Sequence, residues 1–360
     1  MKITLLKAFP DPYRKSMDLY AEQLEKTMRP FLRRADELEA YFPAGMGLSP
    51  QAVRYFSQYF LYALQVSRKK SDVYHIVDHS YSHLVHHLPR KPVVVTFHDA
   101  IWLKTNHGVY HSEFPKSQPW IKQFNLSGLK KAAAILCDSE ASRKALLETI
   151  DYPQEKAHVV PLGVDAKSFA PQPHFRDIHH LGHGPLLLHV GHTGSYKNIP
   201  ALFEILALLT QRGSHAKLVK VGTPFTAEQK NLIQKLGLAS SIIHLGPLET
   251  QALGAAYYAA DVLLLPSFDE GFGFPALEAM ACGLPVICSN RGSLPEITGN
   301  AAVLLDPTDY SGFADSIQHI LTDEVYRKQK QDAGHRQACL FEWENTAKET
   351  LNVYRKILER

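Results

Sequence analysis

The chain has 360 residues, of which 45% are hydrophobic and 21% are charged, a composition typical of a globular protein with a large core. Because a domain usually has about 150 residues, this length predicts two domains. The formal net charge is only +3, which excludes a protein whose main task is to neutralise the phosphates of a nucleic acid. No nucleic-acid partner is expected.

Short apolar runs alternate with longer helical patterns, as in parallel β-sheets covered by helices on both faces. About eleven such runs are too many for one sheet, so two doubly wound α/β domains are predicted. The first run is too short for a signal peptide, and none reaches the roughly 18 apolar residues of a membrane span. The protein is therefore expected to be cytoplasmic. The predicted strands are 3–6, 73–77, 93–97, 134–136, 158–161, 186–190, 217–221, 242–245, 262–265, 286–288 and 302–305.

The segment 50–70 is predicted to be helical; it is rich in aromatic side chains and closes with Arg68, Lys69 and Lys70. Two interpretations stay open. One is a core helix whose basic last turn complements its dipole, and the other is a cationic, aromatic surface that contacts a membrane leaflet. Histidines recur at helix-like spacing over 75–87, but a zinc site would need a further ligand on a rigid neighbour. No bound metal is predicted.

Residues 166–184 carry two prolines, two glycines and four histidines without a helical or strand period, a pattern typical of an interdomain linker. The sequence thus predicts a first domain at 1–170, a linker at 171–184 and a second domain at 185–340. A C-terminal helix is expected at 341–360, crossing back to the first domain.

The most informative segment is 265–286, with the sequence LPSFDEGFGFPALEAMACGLPV. Pro275 suits the first turn of a helix and Gly283 the position after its end, so a strand, loop, helix and strand are predicted. Free amides at the start of a helix attract an anion, and Glu270 and Glu278 lie on either side of that point. The arrangement suits a phosphorylated sugar. Taken singly, each acid would be interpreted as an ordinary surface or helix-terminal carboxylate.

Glu270 and Glu278, separated by seven residues in this setting, resemble the E-x7-E signature of retaining family 4 glycosyltransferases with the two-domain GT-B fold. The similarity continues upstream at 190–198 and downstream at 289–307, and it covers nearly all of the second half and, loosely, the first half. It implies two Rossmann-like domains that face each other across a cleft. The first would lie on the acceptor side, and the second would bind the nucleotide sugar.

The resemblance also implies roles for single residues. Glu270 would face the donor sugar, Glu278 would bind the ribose hydroxyls of the nucleotide, and Lys197 would neutralise the diphosphate. The backbone amides expected to hold sugar hydroxyls and phosphate oxygens are those of Phe272, Gly273 and Phe274.

In the first half, the sequence VTFHD at 95–99 resembles the strand end where this family places a histidine beside the transferred sugar, so His98 is predicted there. A histidine that only hydrogen-bonds the backbone is the alternative. Family members commonly carry a second basic residue near Lys197; this chain offers His192 or Lys220. The glycine-rich turn after the first strand is absent, and the candidates there for binding phosphates or an anionic acceptor are Arg14, Lys15 and Ser16.

Ligands of open parallel sheets bind outside the carboxyl ends of the strands. His98, Lys197 and Glu270 each follow a predicted strand, so all three are expected on one rim, lining a cleft. The sequence has no Asp-x-Asp triplet to bind a divalent ion at a diphosphate, so neither a metal nor another cofactor is predicted. Lys197 and the helix N-terminus would stabilise the leaving group.

The predicted function is transfer of a hexose, such as mannose or glucose, from a nucleotide diphosphate sugar to a hydroxyl of a saccharide or lipid-linked acceptor, with retention. Polysaccharide, lipopolysaccharide or glycolipid assembly is the expected setting, with peripheral contact at the inner face of the membrane through the basic first domain. Two alternatives remain. One is a GT-B enzyme of other chemistry, an epimerase or a phosphorylase, and the other is a non-catalytic glycosyltransferase-like binding subunit.

Overall fold

A computed structural model describes residues 1–9, 15–43, 56–101 and 119–359, without the side chains of residues 15, 16 and 119. These residues form two compact units. The first comprises the described residues of 1–163 together with 342–359, and the second comprises 164–341. Across the described ranges, no helix combines the length and the apolar character needed to cross a bilayer.

The first unit is built on a parallel sheet with the strand order β2-β1-β3-β4-β5-β6. Its strands are β1 (Lys2–Leu6), β2 (Glu37–Tyr41), β3 (Val73–Ile76), β4 (Val93–Phe97), β5 (Ala134–Cys137) and β6 (Ala157–Val159). All residues of the central strands β3, β4 and β5 are buried, as expected for a sheet covered on both faces. The α-helices are α1 (Lys15–Met28), α2 (Tyr62–Val66), α3 (Pro119–Lys131), α4 (Glu140–Thr149) and α13 (Trp343–Leu358). Shorter helical segments are Arg29–Phe31, Ser57–Leu61, His79–His86 and Gln154–Lys156.

The second unit repeats this plan with the strand order β12-β11-β10-β7-β8-β9. Its strands are β7 (Leu186–Gly191), β8 (Lys217–Gly222), β9 (Ile242–Gly246), β10 (Val262–Leu265), β11 (Val286–Ser289) and β12 (Val303–Leu305). Its α-helices are α5 (Phe175–Ile178), α6 (Ile199–Gln211), α7 (Ala227–Lys235), α8 (Thr250–Ala259), α9 (Phe274–Ala281), α10 (Leu294–Thr298), α11 (Tyr310–Thr322) and α12 (Glu324–Ala338). Single 3₁₀ turns span Ala166–Ser168 and Ser195–Lys197. Because the paired strands are parallel, their carboxyl ends meet at one edge of the sheet.

The C-terminal helix α13 belongs to the first unit, where it packs against α1. The hydroxyl of Tyr354 lies 2.6 Å from Nδ1 of His75, and Nε2 of His75 lies 2.7 Å from Oγ1 of Thr96. The hydroxyl of Tyr20 on α1 lies 2.8 Å from the same Thr96 oxygen. A buried chain of hydrogen bonds therefore ties both helices to β3 and β4.

The predicted fold class, two doubly wound parallel α/β domains, is confirmed. The predicted linker at 171–184, in contrast, lies inside the second unit, and the chain passes between the units next to residues 163 and 341. Phe175 and Leu181 of that segment are buried. The guanidinium of Arg176 donates to the carbonyl of Ala259 at 2.8 Å and to Asp261 at 2.9 Å. These contacts hold the segment against the second unit although its composition is typical of a loop.

Candidate functional site

The segment 265–286 folds as predicted, into strand β10, a loop and helix α9. Gly273 precedes the helix with φ +94°, a left-handed conformation that glycine adopts without strain. Pro275 lies in the first turn, and Gly283, with φ +73°, follows the last. Pro275 has no amide hydrogen, and the amides of Ala276 and Leu277 donate to the carbonyl of Gly273 at 3.0 and 3.3 Å. The start of α9 still carries the positive end of the helix dipole, which attracts an anion.

Glu270 is held in the loop before α9 by both its side chain and its backbone. Its carboxylate accepts from the hydroxyl of Ser267 at 2.8 Å, and its backbone carbonyl accepts from the amide and the hydroxyl of Ser293. A side chain on Gly292, which has φ +60°, would lie 2.7 Å from the amide nitrogen of Glu270. This close approach of two backbones fixes the carboxylate just beyond the carboxyl end of β10.

Lys197 ends the short helical turn that follows β7, and its ammonium lies 2.7 and 2.8 Å from the two carboxylate oxygens of Glu270. Both side chains are buried. The amide of Phe268 donates to the carbonyl of Tyr196 at 2.7 Å, so the two loops are also joined through their backbones. The structure thus brings together two residues that the sequence separates by 73 positions.

A buried ion pair of this kind adds little net stability, because desolvation of the two charges offsets much of their attraction. It is, however, suited to exchange partners. An anionic ligand that reaches Lys197 takes over one of its donor bonds, and the released oxygen of Glu270 then accepts a hydrogen bond from a hydroxyl group. One ammonium and one carboxylate in contact can therefore bind a molecule that carries both phosphate and hydroxyl groups.

Glu278 lies on α9 little more than one turn after the loop and is also buried. One of its carboxylate oxygens accepts from the hydroxyl of Tyr257 at 2.6 Å. Burial raises the pKa of Glu278 to about 7, although the hydrogen bond from Tyr257 favours the ionised form. A carboxyl group with such a pKa in a buried position is typical of a functional site rather than of a surface acid.

The other predicted donor-binding residues of the second unit lie next to these. His192 is part of the turn between β7 and Lys197, and its Nδ1 accepts from the amide of Gly194 at 3.0 Å. Phe272 is buried, and its ring contacts the rings of Phe274 and Phe341 at centroid distances of 5.3 and 6.0 Å. The segment 272–274, which leads into α9, is therefore held in place by packing of its aromatic side chains.

His98 follows β4 in the first unit, as predicted, but both of its ring nitrogens are engaged there. Nδ1 lies 2.6 Å from a carboxylate oxygen of Asp138, and Nε2 lies 2.8 Å from the carbonyl of Val77. Because both neighbours are acceptors, the ring must donate from both nitrogens. Burial disfavours the charged ring, but Asp138 outweighs it and raises the pKa of His98 to about 9. The predicted contact of His98 with the sugar stays a prediction.

The remaining sequence candidates are not tested by the structure. Arg14 lies outside the described residues, and Lys15 and Ser16 open α1 with side chains that are not described. Four of the clustered histidines have protein partners. His75 bonds to Tyr354 and Thr96, His79 accepts from the amide of His98, His83 bonds to Asn125, and His86 bonds to Ser127. Within the described ranges, no three His, Cys, Asp or Glu side chains are grouped as a metal would require.

Sequence reasoning missed three partners of the candidate residues, Asp138 in the first unit and Ser267 and Tyr257 in the second. Asp138 follows β5 directly and Ser267 lies two residues after β10, so the rule that ligands lie at carboxyl ends of strands could have found both. Tyr257 comes from α8, and no sequence signal indicates that it faces Glu278.

Two family models match the chain, Glycosyltransferase Family 4 at residues 22–168 and Glycosyl transferases group 1 at residues 172–337. The O-antigen chain mannosyltransferase B of Escherichia coli is 30% identical over 282 residues, which make up 76% of this chain and 72% of that protein. The chain belongs to the group 1 glycosyl transferases. The family that the E-x7-E resemblance implied is confirmed. Further curated relatives align over 31% to 62% of their own length.

Solved structures show the fold of this glycosyltransferase. Sucrose-phosphate synthase from Thermosynechococcus elongatus has a TM-score of 0.78 at 22% identity, with 100% of this chain and 99% of that chain covered. The Anabaena protein HepE, solved in complex with UDP and glucose, has a TM-score of 0.78 at 18% identity, with 98% of each chain covered. The predicted GT-B fold is confirmed.

Proposed function

We propose that this glycosyltransferase moves a hexose from a nucleotide diphosphate sugar to a hydroxyl of a saccharide or lipid-linked acceptor, in the assembly of a polysaccharide, lipopolysaccharide or glycolipid. The observation that carries the proposal is the buried pair of Lys197 and Glu270 beside the N-terminus of α9. It supplies one cation for a diphosphate and one carboxylate for sugar hydroxyls. The positive end of the helix dipole at the start of α9 adds attraction for phosphate oxygens.

The donor would exchange the partners of this pair. A diphosphate oxygen takes one donor bond of Lys197, and Glu270, still fixed by Ser267 and Ser293, accepts from hydroxyls of the sugar. Glu278 accepts from the ribose hydroxyls. Positive charge at Lys197 and at the start of α9 then stabilises the negative charge that develops on the departing phosphate.

Transfer with retention follows if the leaving phosphate itself takes the proton of the acceptor hydroxyl on the face that it leaves. Bond breaking is then ahead of bond making, the sugar is oxocarbenium-like, and the charges at Lys197 and Glu270 hold its geometry. The configuration of the anomeric carbon in the product, measured by NMR against that of the donor, tests retention. Unchanged activity with a chelator present tests independence from a metal.

The decisive test is binding followed by product analysis. A panel of UDP, GDP and ADP and their hexose conjugates is screened by thermal shift, because a ligand at a hundred times its dissociation constant stabilises the folded protein by about 2.7 kcal/mol. The stabilising donor is then incubated with saccharide and lipid-linked acceptors, and the products are identified by mass spectrometry. The proposal fails if no nucleotide shifts the melting temperature.

We also propose that the enzyme works in the cytoplasm and contacts the inner leaflet of the membrane through the helix at Ser57–Val66. One face of this helix is core, since Tyr59, Tyr62 and Val66 are buried. The opposite face exposes three large apolar side chains at a spacing of four residues, and basic residues follow the helix end. The exposed apolar residues are Phe56 (50%), Phe60 (63%) and Leu64 (54%). An apolar stripe with adjacent basic side chains suits an anionic lipid surface.

A further inference from the structure

Lys220 on β8 is a fully buried lysine in the second unit. Its ammonium donates to the backbone carbonyl of Gly191 at 3.0 Å and to that of Thr223. Gly191 is the last residue of β7, and Thr223 follows β8, so the ammonium lies at the carboxyl edge of the sheet. This is the same edge that carries Lys197.

The titratable groups around Lys220 are basic. His189 faces it from β7 and His244 from β9, and Lys197 lies in the turn after β7. From the other side, Lys220 meets the ring of Phe225, whose centroid lies 5.7 Å from the ammonium. Burial and the positive charge of Lys197 lower the pKa of Lys220 to about 8, and no carboxylate in the described ranges offsets them. The positive charge of Lys220 therefore destabilises the ligand-free protein.

Three of these basic side chains surround Gly191. A side chain on Gly191 would lie 3.6 Å from Nε2 of His189 and 3.6 Å from the ammonium of Lys197, while its carbonyl accepts from Lys220. Nδ1 of His189 donates to the carbonyl of Leu264 at 2.9 Å, which leaves Nε2 as an unprotonated acceptor. That nitrogen is buried and has no hydrogen-bond partner in the described part of the chain.

The basic side chains at this edge therefore differ in whether a negative charge neutralises them. Lys197 is neutralised by Glu270, and His189 is uncharged because burial lowers its pKa to about 3. His192, in the loop between β7 and Lys197, accepts from the amide of Gly194 through Nδ1. A histidine that accepts through one nitrogen carries no charge. Lys220 is left with a charge that an anionic ligand would stabilise.

We propose that Lys220 supplies the second positive charge for the diphosphate of the donor, as a positioning residue that acts through Gly191 and through space rather than by direct contact. The inference rests on the proposed function, since it names a further residue of the same donor site. Lys220 also fixes the turn before Lys197, because its two carbonyl bonds join the ends of β7 and β8.

A pH dependence follows from this role. A bound dianion stabilises the protonated ammonium, so the pKa of Lys220 is higher in the complex than in the free protein. Below about pH 8 the residue is charged in both states and affinity is at its full value. Above that pH, binding requires uptake of a proton, and affinity falls by up to about tenfold per pH unit until the pKa of the complex is reached.

The test uses the full chain and the nucleoside diphosphate, among UDP, GDP and ADP, that gives the largest thermal shift. Its dissociation constant is measured by calorimetry for wild type and Lys220→Met, a replacement of similar volume that suits a buried position. At neutral pH the variant should bind about tenfold more weakly, the effect of one lost charge in a partly buried site. Lys217→Met is the matched control on the same strand, and the parent nucleoside, which lacks the phosphates, is the control ligand. Lys217→Met should bind the nucleoside diphosphate as tightly as wild type does. Lys220→Met should not change the affinity for the nucleoside.

Proton uptake supplies the second readout. Calorimetry near pH 8.5 in two buffers with different ionisation enthalpies should show proton uptake by wild type and none by Lys220→Met. Equal affinities and equal uptake in both proteins would overturn the inference while leaving the proposed function intact. Absence of any nucleotide binding by wild type would instead sink the proposed function. If Lys220→Met does not fold, the wild-type measurement decides, since a lack of proton uptake overturns the inference.

Discussion

The ammonium of Lys197 lies 2.7 and 2.8 Å from the two carboxylate oxygens of Glu270, so each of these buried charges is neutralised by the other in the ligand-free protein. Lys197 must therefore share its donor bonds before it can hold a diphosphate. For this reason, removal of one charge has a different effect on nucleotide binding from removal of the other.

Glu270→Gln should lower the rate of sugar transfer by at least about a hundredfold, because the amide provides no negative charge toward the sugar. The same variant should bind the nucleoside diphosphate as tightly as wild type or more tightly, since Lys197 has lost its competing partner. Lys197→Met should weaken binding instead. Product formation and calorimetry measure the two effects, and undiminished transfer by Glu270→Gln would contradict the role of the acid.

Gly292→Ala should impair transfer far more than it lowers the melting temperature. Its new Cβ would lie 2.7 Å from the amide nitrogen and 2.8 Å from the carbonyl oxygen of Glu270, so the loop that carries the acid must shift. Gly237→Ala is the matched control, because Gly237 has φ +68° and open space where the Cβ would lie. Both variants bear a left-handed alanine, which costs roughly 1 kcal/mol. Equal activities of the two variants would argue against a precisely held Glu270.

Glu278→Gln should stabilise the protein at about pH 8 and weaken nucleotide binding. Burial raises the pKa of Glu278 from 4.5 to about 7, so the folded state binds more protons than the unfolded state in that interval. The free energy of unfolding of wild type therefore falls by up to roughly 3 kcal/mol as pH rises from 4.5 to about 7, and that of the glutamine variant does not. Melting temperatures from about pH 4 to about pH 8 measure the difference. Glu324→Gln, at a side chain that is 89% exposed, should change neither property.

Asp138→Asn should destabilise the first unit at neutral pH, because it leaves the buried ring of His98 without its carboxylate. In wild type the pKa of His98 is raised to about 9, so its contribution to stability is present below about pH 6.5 and is lost as pH rises through 9. The stability of the variant should not decline in this way as pH rises. Melting temperatures between about pH 6 and about pH 9.5 test it. A decline of the same size in both proteins would show that another group titrates.

Phe60→Glu should reduce binding to anionic vesicles by about tenfold or more, because a carboxylate then faces the leaflet in the middle of the exposed stripe. Leu340→Glu is the control, since Leu340 is 69% exposed but lies in the second unit. Cosedimentation with phosphatidylglycerol vesicles, compared with phosphatidylcholine vesicles, provides the measurement. Equal binding of both variants would exclude the helix as the contact.

The segment 265–286 was predictable because proline and glycine mark the two ends of its helix. Pro275 and Gly283 located α9 from the sequence, and the rule for parallel strands placed Lys197 and Glu270 at carboxyl ends. That rule cannot say which side chains meet. The ion pair between them depends on β7 lying next to β10, an adjacency that the chain order does not reveal.

Other elements were not predicted because their local sequence does not indicate how they pack in the folded protein. Strand β2 (Glu37–Tyr41) lies at the edge of its sheet and alternates polar with apolar residues, so it lacks the continuous apolar run of a central strand. The segment 171–184 has the composition of a linker, but Phe175 and Leu181 anchor it in the second unit. Tyr257 reaches Glu278 from another helix, and only tertiary structure brings them together.

Helix α13 has a consequence for the order of folding. It contributes Tyr354 to the buried hydrogen bonds of the first unit and buries Trp343 beside Gly163. During synthesis, the second unit leaves the ribosome before these last residues do. The first unit can therefore complete its core only after residues 342–359 have been synthesised, whereas the described residues of the second unit, which end at 341, are available earlier.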